Sequence, residues 1–171
     1  MIGPRKRPQD FGFNKGDHHL VVNDAAEVMK AFDHTGYHLW TIPALARGQG
    51  LDYEWQARFS DTPPSLYRIG KTYNDFALYG VGGQDTRDTR AFGWAFFDLI
   101  DLEGREDGSG RAGIGIHGGG SRLGFPRCWD PFQPLLPTMG CVRIHNIHCR
   151  DNIYPLLKTG TVYVSVYQEQ A

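Results

Sequence analysis

Short runs with the residue pattern of β-strands recur along the chain, and they constrain its fold more than any other feature. The runs are "YHLWTIPAL", "YEWQARF", "SLYRIG", "AFGWAFFDLI", "AGIGIH" and "TVYVSVY". In the last run, alternation would put Val162, Val164 and Val166 on one face of a strand. Polar, glycine-rich loops separate the runs, and the chain holds 22 glycines and 10 prolines in 171 residues. The sequence therefore predicts a mostly β fold, a sandwich or a barrel, with one or two short helices.

Two segments have the pattern of short helices. In "NDAAEVMKAFD" the apolar residues recur at helical spacing: Ala25, Val28, Met29 and Phe32. Asp24 and Glu27 are spaced like a capping box at the start of that helix. A second helix is predicted in "HNIHCRDNIYPLLKTG", where Pro155 would bend it or end its first part, and the helix would end near Gly160.

The balance of charges excludes several classes of partner. With 18 basic and 19 acidic side chains the formal net charge is −1, so there is no basic surplus to bind nucleic acid or an anionic membrane.

No apolar run approaches the ~20 residues that cross a bilayer. The basic N-terminus runs into "PQDFGFNKGDHH", which lacks the apolar segment of a secretion signal. We therefore expect no transmembrane segment, and a protein that stays in the cytoplasm, leaves by another route, or has a leader outside this sequence.

The stretch "PTMGCVRIHN", residues 137–146, carries the best candidate for chemistry. The chain has three cysteines, so at least one is a thiol even if the other two pair. A thiol with a pKa near 8.5 is mostly protonated at pH 7, and it needs a neighbouring imidazole to act as a nucleophile. His117 is the best partner for Cys141, because it ends the apolar run "AGIGIH" and precedes three glycines.

The neighbours of Cys141 also fit a nucleophile. Gly140 allows the backbone dihedrals with which N–H groups turn towards a developing oxyanion. In an extended stretch, Arg143 would project from the same face as Cys141. Its guanidinium could hold a substrate carboxylate there or favour the thiolate.

Structural interpretations of the same residues stay open at this point. Cysteine is among the most buried residue types, so Cys141 could be an inert core thiol. Gly140 could be an ordinary turn residue, and Arg143 could pair with a surface carboxylate such as Asp151.

A metal site is the other chemical interpretation. His145, His148 and Cys149 cluster in sequence after Cys141. However, the chain has no CxxC pair and no HExxH motif, and "HNIHC" is not a strong zinc spacing. We predict neither a metal nor a cofactor.

Two motifs, in this order, resemble a known family. "IHGGG" followed by "TMGCVRIHN" is similar to the signature of the L,D-transpeptidases, also called YkuD-type domains. In that family a strand ending in His-Gly precedes a Ser/Thr-x-Gly-Cys motif. "WTIPALARG", "DTPPSLYRIG" and "LLKTGTVYVSV" also resemble the family's strands, so the resemblance covers roughly residues 38 to 167. It divides the chain into an N-terminal arm and helix, residues 1–36, and a catalytic domain, residues 37–171.

The resemblance implies a cysteine enzyme of the cell envelope that acts on the stem tetrapeptides of peptidoglycan. Its cysteine attacks the L,D bond between the third residue, commonly a diamino acid, and the terminal D-alanine. The thioester then passes to an amine of another stem or to water. The implied catalytic residues are Cys141 as nucleophile, His117 as base and Gly140 at the oxyanion hole. The implied substrate-binding residues are Arg143, Thr138, Gly118 and Trp129.

Two departures from the family pattern leave the choice of substrate open. Met139 stands where the family often has histidine, so Cys141 depends on His117 alone. The segment between His117 and Cys141 is longer than is typical, and it carries Trp129 among several prolines and aromatic residues, as a lid, an acyl-donor wall or a packed surface loop would. Two alternatives remain: a wall hydrolase with the same thiol, such as a phage protein or delivered toxin, and a non-catalytic domain that binds glycan or protein.

Overall fold

Eight strands form a closed barrel in the computed structural model, which describes residues 1–50, 60–76, 89–104, 113–120 and 127–169. The strands are β1 (His18–Asn23), β2 (Val28–Asp33), β3 (His38–Leu45), β4 (Leu66–Asn74), β5 (Ala95–Asp101), β6 (Gly115–His117), β7 (Val142–Ile144) and β8 (Val162–Tyr167). Their order around the barrel is β1-β2-β3-β7-β6-β5-β4-β8. The predicted mostly β fold is therefore confirmed, and it is a barrel.

Among the described residues, helical structure is confined to short segments. They are a 3-10 turn (Pro8–Phe11), α1 (Thr89–Phe92), α2 (Asn146–His148), a π-helical turn (Cys149–Ile153) and α3 (Tyr154–Leu157). The last three follow one another and confirm the second predicted helix. Pro155 lies in the first turn of α3, where a missing N–H is tolerated. None of the helices in the described ranges has the length and apolar character needed to cross a membrane.

The first predicted helix is wrong, because residues 23–33 belong to a β-hairpin. Strands β1 and β2 pair antiparallel, with Asn23 opposite Val28. Met29 and Ala31 are fully buried and Lys30 between them is exposed, which is the period of a strand. The polar residues taken for a helix cap make a turn instead, in which the Glu27 N–H donates to Asp24 O at 3.1 Å. The N-terminal segment therefore contributes two strands to the barrel.

Most of the predicted strands are confirmed. The runs that begin at residues 37, 65, 91, 112 and 161 overlap β3, β4, β5, β6 and β8 respectively, although β4 extends four residues beyond its run and β5 one. The run "YEWQARF", residues 53–59, lies outside the described residues. Strand β7 was not among the predicted runs, because its three residues are too few to show a period.

Apolar side chains fill the inside of the barrel, and the polar motif residues of β6 and β7 lie on the opposite face of these strands. Val162, Val164 and Val166 are fully buried, as alternation predicted. On β6 and β7 the core-facing residues are Ile116, Val142 and Ile144, also fully buried. Burial of each such side chain contributes about 1.5–3 kcal/mol, so these residues form a stabilising apolar core. The residues that alternate with them, such as His117 and Arg143, point away from this core.

Candidate active site

Strands β6 and β7 bring the two halves of the motif together. They pair in parallel, with Ile116 opposite Val142 and His117 opposite Arg143. Cys141 lies just before β7, two residues from Arg143, so both side chains project from the same face. Ladder spacing continued by one residue from β7 would put the Cα atoms of Cys141 and His117 about 8 Å apart.

Cys141 is the accessible thiol of the chain. Of the three cysteines, all within the described ranges, Cys128 and Cys149 are buried and Cys141 is partly exposed. The Cys141 Sγ lies 3.5 Å from Gly113 O, to which its S–H can donate. Burial raises the pKa of Cys149 well above its ordinary value, which keeps that thiol unreactive.

His117 is held as a neutral imidazole in an aromatic box. Its Nδ1 lies 2.7 Å from Gly118 O, and because a carbonyl only accepts, Nδ1 carries the proton and Nε2 the lone pair. Phe96 stacks on the ring at 5.8 Å between centroids, and Phe92 meets it edge-on at 5.1 Å. Burial first, and the charge of Arg143 second, lower the pKa of His117 to about 3. The imidazole is therefore uncharged near neutral pH and able to accept a proton.

Arg143 ties the loops of the site to one another. It is 3% exposed, and among the described residues it donates to four backbone carbonyls. The acceptors are Leu136 O at 2.7 Å, Gly120 O at 3.0 Å, Gly118 O at 3.3 Å and Ala91 O at 3.3 Å. Burial lowers its pKa to about 10, against the opposing effect of Cys141, and the group stays charged. Asp151, its alternative partner in sequence, instead accepts from Arg150 Nε at 2.7 Å.

Thr138 and Gly140 fix the turn that presents Cys141. The Thr138 hydroxyl donates to Cys141 O at 2.7 Å and accepts from the Gly140 N–H at 3.1 Å. Gly140 has a φ of 117°, a conformation that side-chain-bearing residues rarely adopt. The Thr138 N–H donates to Arg47 O at 3.2 Å, which attaches the turn to the chain after β3.

Asn146, which sequence reasoning missed, is the central polar residue beneath the site. It is fully buried. Its Oδ1 accepts from the N–H groups of Trp94 (3.1 Å) and Gly119 (3.0 Å), and its Nδ2 donates to the carbonyls of Cys128 (2.8 Å) and Asp130 (2.7 Å). One amide thereby joins the glycine turn after His117 to residues 127–137, the segment before the Cys141 turn, which we call the covering segment. No spacing in the sequence signals this role, because the partners come from distant segments.

Gly118 and Trp129 lie on either side of this amide. A Cβ on Gly118 would collide with Asn146 Oδ1, so the close approach requires glycine. Trp129 is half-buried in the covering segment, and its carbonyl accepts from Trp94 Nε1 at 2.8 Å. The structure thus places the six motif residues around β6 and β7 and Trp129 in the segment between His117 and Cys141, and the catalytic and substrate-binding roles of all seven stay predictions.

The histidines after Cys141 surround an exposed phenylalanine. Phe132 lies 5.5 Å from His145 and 5.8 Å from His148, measured between ring centroids. The two Nδ1 atoms are bound to Gln133 O and Asn152 Oδ1, each at 2.8 Å. In the part of the chain that the structure describes, no three His, Cys, Asp or Glu side chains are grouped so as to hold a metal ion.

Comparison with solved structures identifies the fold. The chain matches Bd1075 from Bdellovibrio bacteriovorus with a TM-score of 0.57 and 14% identity, over 89% of this chain and 47% of that one. It matches the helical cell shape determining protein Pgp2 from Campylobacter jejuni with a TM-score of 0.55 and 14% identity, over 90% and 48%. An L,D-transpeptidase from Stackebrandtia nassauensis matches with a TM-score of 0.51 and 12% identity, over 90% and 56%. The chain has an L,D-transpeptidase fold.

The fold implied by the two motifs is thereby confirmed. The chain spans about half the length of the Bd1075 and Pgp2 structures, at 47% and 48%. No family model and no curated protein matches the sequence. The similarity therefore lies in the three-dimensional arrangement of the L,D-transpeptidase barrel.

We expect Gly140→Ala to cause a large loss of catalytic activity and only a small loss in the free energy of unfolding. Left-handed backbone costs a residue with a Cβ about 1–2 kcal/mol, and relaxing that strain would tilt the turn that carries Cys141. The motif predicts an oxyanion donor at this turn, and a misdirected donor costs about 10²-fold in rate. The matched control is Gly36→Ala, because Gly36 has a φ of 86° and open space around it. Equal losses of activity in the two variants would contradict the role of the turn.

Buried histidines should make the folded state sensitive to acid. Burial lowers the pKa of His19 to about 4, and His117 is lowered further. Unfolding restores a pKa near 6.5, so below that pH the unfolded chain binds more protons than the folded one. The contribution of these histidines is complete above about pH 6.5 and is lost as the pH falls towards the folded-state values.

Between pH 7 and pH 5 we expect the free energy of unfolding to fall by about 1–2 kcal/mol for each of the two histidines. Urea unfolding at both pH values measures it. His19→Gln keeps a donor for Ser165, 2.7 Å from His19 Nε2, and should reduce the loss. His38→Gln, at an exposed position, should leave the loss unchanged. A fall that is the same in all three proteins would show that His19 does not contribute.

Proposed function

We propose that the protein is a cysteine acyltransferase of the cell envelope that acts on stem tetrapeptides of peptidoglycan. One observation carries the proposal. On an L,D-transpeptidase fold, a partly exposed thiol, Cys141, adjoins the strand that ends in a neutral histidine, His117, whose Nε2 is fixed as the acceptor. The names of two similar structures, an L,D-transpeptidase and a cell shape determining protein, support a substrate in the cell wall.

The chemistry follows from the two side chains. The Cys141 thiol passes its proton to Nε2 of His117, and Sγ bonds to the carbonyl carbon of the third stem residue. The C–N bond to D-alanine breaks, and the imidazolium returns the proton to the departing amine. A thioester remains on Cys141. An amine of another stem then attacks it, His117 takes the surplus proton, and the thiol is regenerated. Proton transfer of this kind is worth about 10²–10⁴-fold in rate.

Arg143 acts in this proposal as a positioning residue. Four carbonyl oxygens occupy its guanidinium, so it is poorly placed to clamp a substrate carboxylate. Its buried charge instead favours the thiolate form of Cys141, and its hydrogen bonds hold the glycine turn after His117. Trp129, half-buried on the covering segment, remains a candidate wall for the substrate.

Release of D-alanine from a synthetic stem tetrapeptide tests the proposal. We expect release by the native protein and none by Cys141→Ala, with unfolding curves showing that both are folded. Chromatography of the products separates a cross-linked dimer from a tripeptide. Tripeptide alone would make the enzyme a hydrolase with the same acyl-enzyme. No release by the folded native protein would overturn the proposed substrate.

A further inference from the structure

One peptide unit, between Gly118 and Gly119, lies between the imidazole of His117 and the amide of Asn146. On one side of it, Gly118 O accepts from His117 Nδ1 at 2.7 Å and from Arg143 Nε at 3.3 Å. On the other side, the Gly119 N–H donates to Asn146 Oδ1 at 3.0 Å. The C=O and N–H of a trans peptide unit lie in one plane and point in opposite directions. A contact that fixes the N–H therefore also fixes the direction of the carbonyl.

Glycine on both sides makes the orientation of this peptide unit depend on its polar contacts. Gly119 has a φ of 72°, which residues with a side chain rarely adopt. A Cβ on Gly118 would collide with Asn146 Oδ1, so the amide lies directly against the unit. Since neither Cα carries a side chain, rotation of the unit about its Cα–Cα axis meets little steric opposition. Its hydrogen bonds therefore decide which way the carbonyl points.

The direction of that carbonyl determines which ring nitrogen of His117 carries the proton. With the carbonyl towards the ring, Nδ1 is the donor and Nε2 keeps the lone pair that accepts a proton. With the N–H towards the ring, Nδ1 would be the acceptor and Nε2 would carry the proton. In that tautomer His117 could not act as a base through Nε2.

The amide of Asn146 opposes this rotation. It is fully buried, its Nδ2 donates to Cys128 O at 2.8 Å and Asp130 O at 2.7 Å, and its Oδ1 also accepts from the Trp94 N–H at 3.1 Å. After a rotation, the carbonyl of the unit would face Oδ1, so two acceptors would meet and the N–H would lose its partner. Arg143 opposes the rotation less, because its guanidinium has three other carbonyl acceptors.

We propose that Asn146 is a positioning residue that sets the tautomer of His117 through the Gly118–Gly119 peptide unit. Asn146 holds the N–H, the opposite end of the unit holds the proton on Nδ1, and Nε2 is left as the acceptor. The assignment rests on the proposed function for its effect on rate, because Nε2 takes the proton of Cys141 there. The tautomer itself is a property of the free protein and is measured without substrate.

Nitrogen-15 NMR of protein labelled at its seven histidines tests the assignment near neutral pH, where the lowered pKa of His117 keeps its imidazole uncharged. Protonated and unprotonated ring nitrogens have separate resonances, and His117→Gln identifies the signals of His117. We expect the native protein to carry the proton on Nδ1. In Asn146→Ala we expect a detectable fraction with the proton on Nε2. One buried hydrogen bond is lost and one clash of acceptors is removed, which together shift the equilibrium by about 10²-fold.

Two further variants separate this role from a purely structural one. Asn146→Asp keeps an acceptor at Oδ1 but loses donation from Nδ2, so it should be less stable than the native protein and still keep the native tautomer. Asn152→Ala removes the acceptor of His148 Nδ1 and should leave the signals of His117 unchanged. If Asn146→Ala does not fold, Asn146→Leu, which fills similar space without an acceptor, replaces it with the same expected result.

Single-turnover release of D-alanine should fall in proportion to the fraction of His117 with the proton on Nδ1. The wrong tautomer of a histidine base costs about 10⁴-fold in rate in a serine protease triad. We therefore expect Asn146→Asp to retain more activity than Asn146→Ala, although both lose stability.

The proton on Nε2 in the native protein, or an unchanged tautomer in folded Asn146→Ala, would overturn the assignment. A tautomer that changes in Asn146→Ala, without D-alanine release by the native protein, would keep the assignment and reject the transferase. Release by the native protein, with an unchanged tautomer in the variant, would do the reverse.

Discussion

His117→Gln should lower the rate of D-alanine release by about 10²–10⁴-fold, the range of a lost general base. Glutamine can still donate to Gly118 O, which His117 Nδ1 does at 2.7 Å, so the turn keeps its hydrogen bond. Its amide cannot accept the thiol proton that a neutral imidazole takes. The measurement is single-turnover release of D-alanine, with the unfolding midpoint recorded for the same samples.

His148→Gln is the control for the loss of a histidine. His148 packs on Phe132 at 5.8 Å and lies beyond Arg143 along the chain. We expect this variant to keep its activity within a few-fold of the native protein. If His117→Gln retained activity to the same degree while folded, another group would have to activate Cys141.

Asn146→Ala should lower the free energy of unfolding by about 3–5 kcal/mol, which is a large part of the stability of an ordinary domain. The change leaves two N–H groups and two carbonyl groups buried without the amide that now satisfies them. The cavity left by the side chain adds to the loss. Urea unfolding measures it, and we expect the midpoint to fall with little change in slope.

Asn152→Ala is the matched control, because Asn152 is half-buried and accepts one hydrogen bond, from His148 Nδ1 at 2.8 Å. We expect Asn152→Ala to lower the free energy of unfolding by about 1 kcal/mol or less. Equal effects at the two positions would mean that the segments around Asn146 do not depend on its amide.

The sequence was sufficient to predict a mostly β fold, a sandwich or a barrel, and to group the motif residues that lie around β6 and β7, but not Asn146. Alternating apolar residues identify β8 and most other strands, since one buried face imposes a period of two. The motif residues could be grouped because His117 ends a predicted strand and because the two motifs resemble the L,D-transpeptidase signature, whereas β7, the strand after Cys141, was not predicted. Neighbouring strands bring the side chains at their ends together, and the parallel pairing of β6 with β7 does so here.

The remaining features depend on contacts between distant segments. Residues 28–33 fit both a helix and a strand by spacing, and pairing with β3 decides for the strand. Asn146 looked like the start of a helix, and its partners near residues 94, 119 and 128 become visible only in the folded chain. The tautomer of His117 likewise follows from its hydrogen bond to Gly118 O, and the sequence does not predict the orientation of that carbonyl.

Intact-protein mass spectrometry tests the central claim most directly. The native protein is mixed with a stem tetrapeptide, quenched within seconds in acid, and compared with Cys141→Ala. We predict an added mass equal to the peptide minus D-alanine, located on Cys141 after digestion and absent from the variant. An adduct on another residue, or D-alanine release that persists in Cys141→Ala, would contradict the account of Cys141 as the nucleophile.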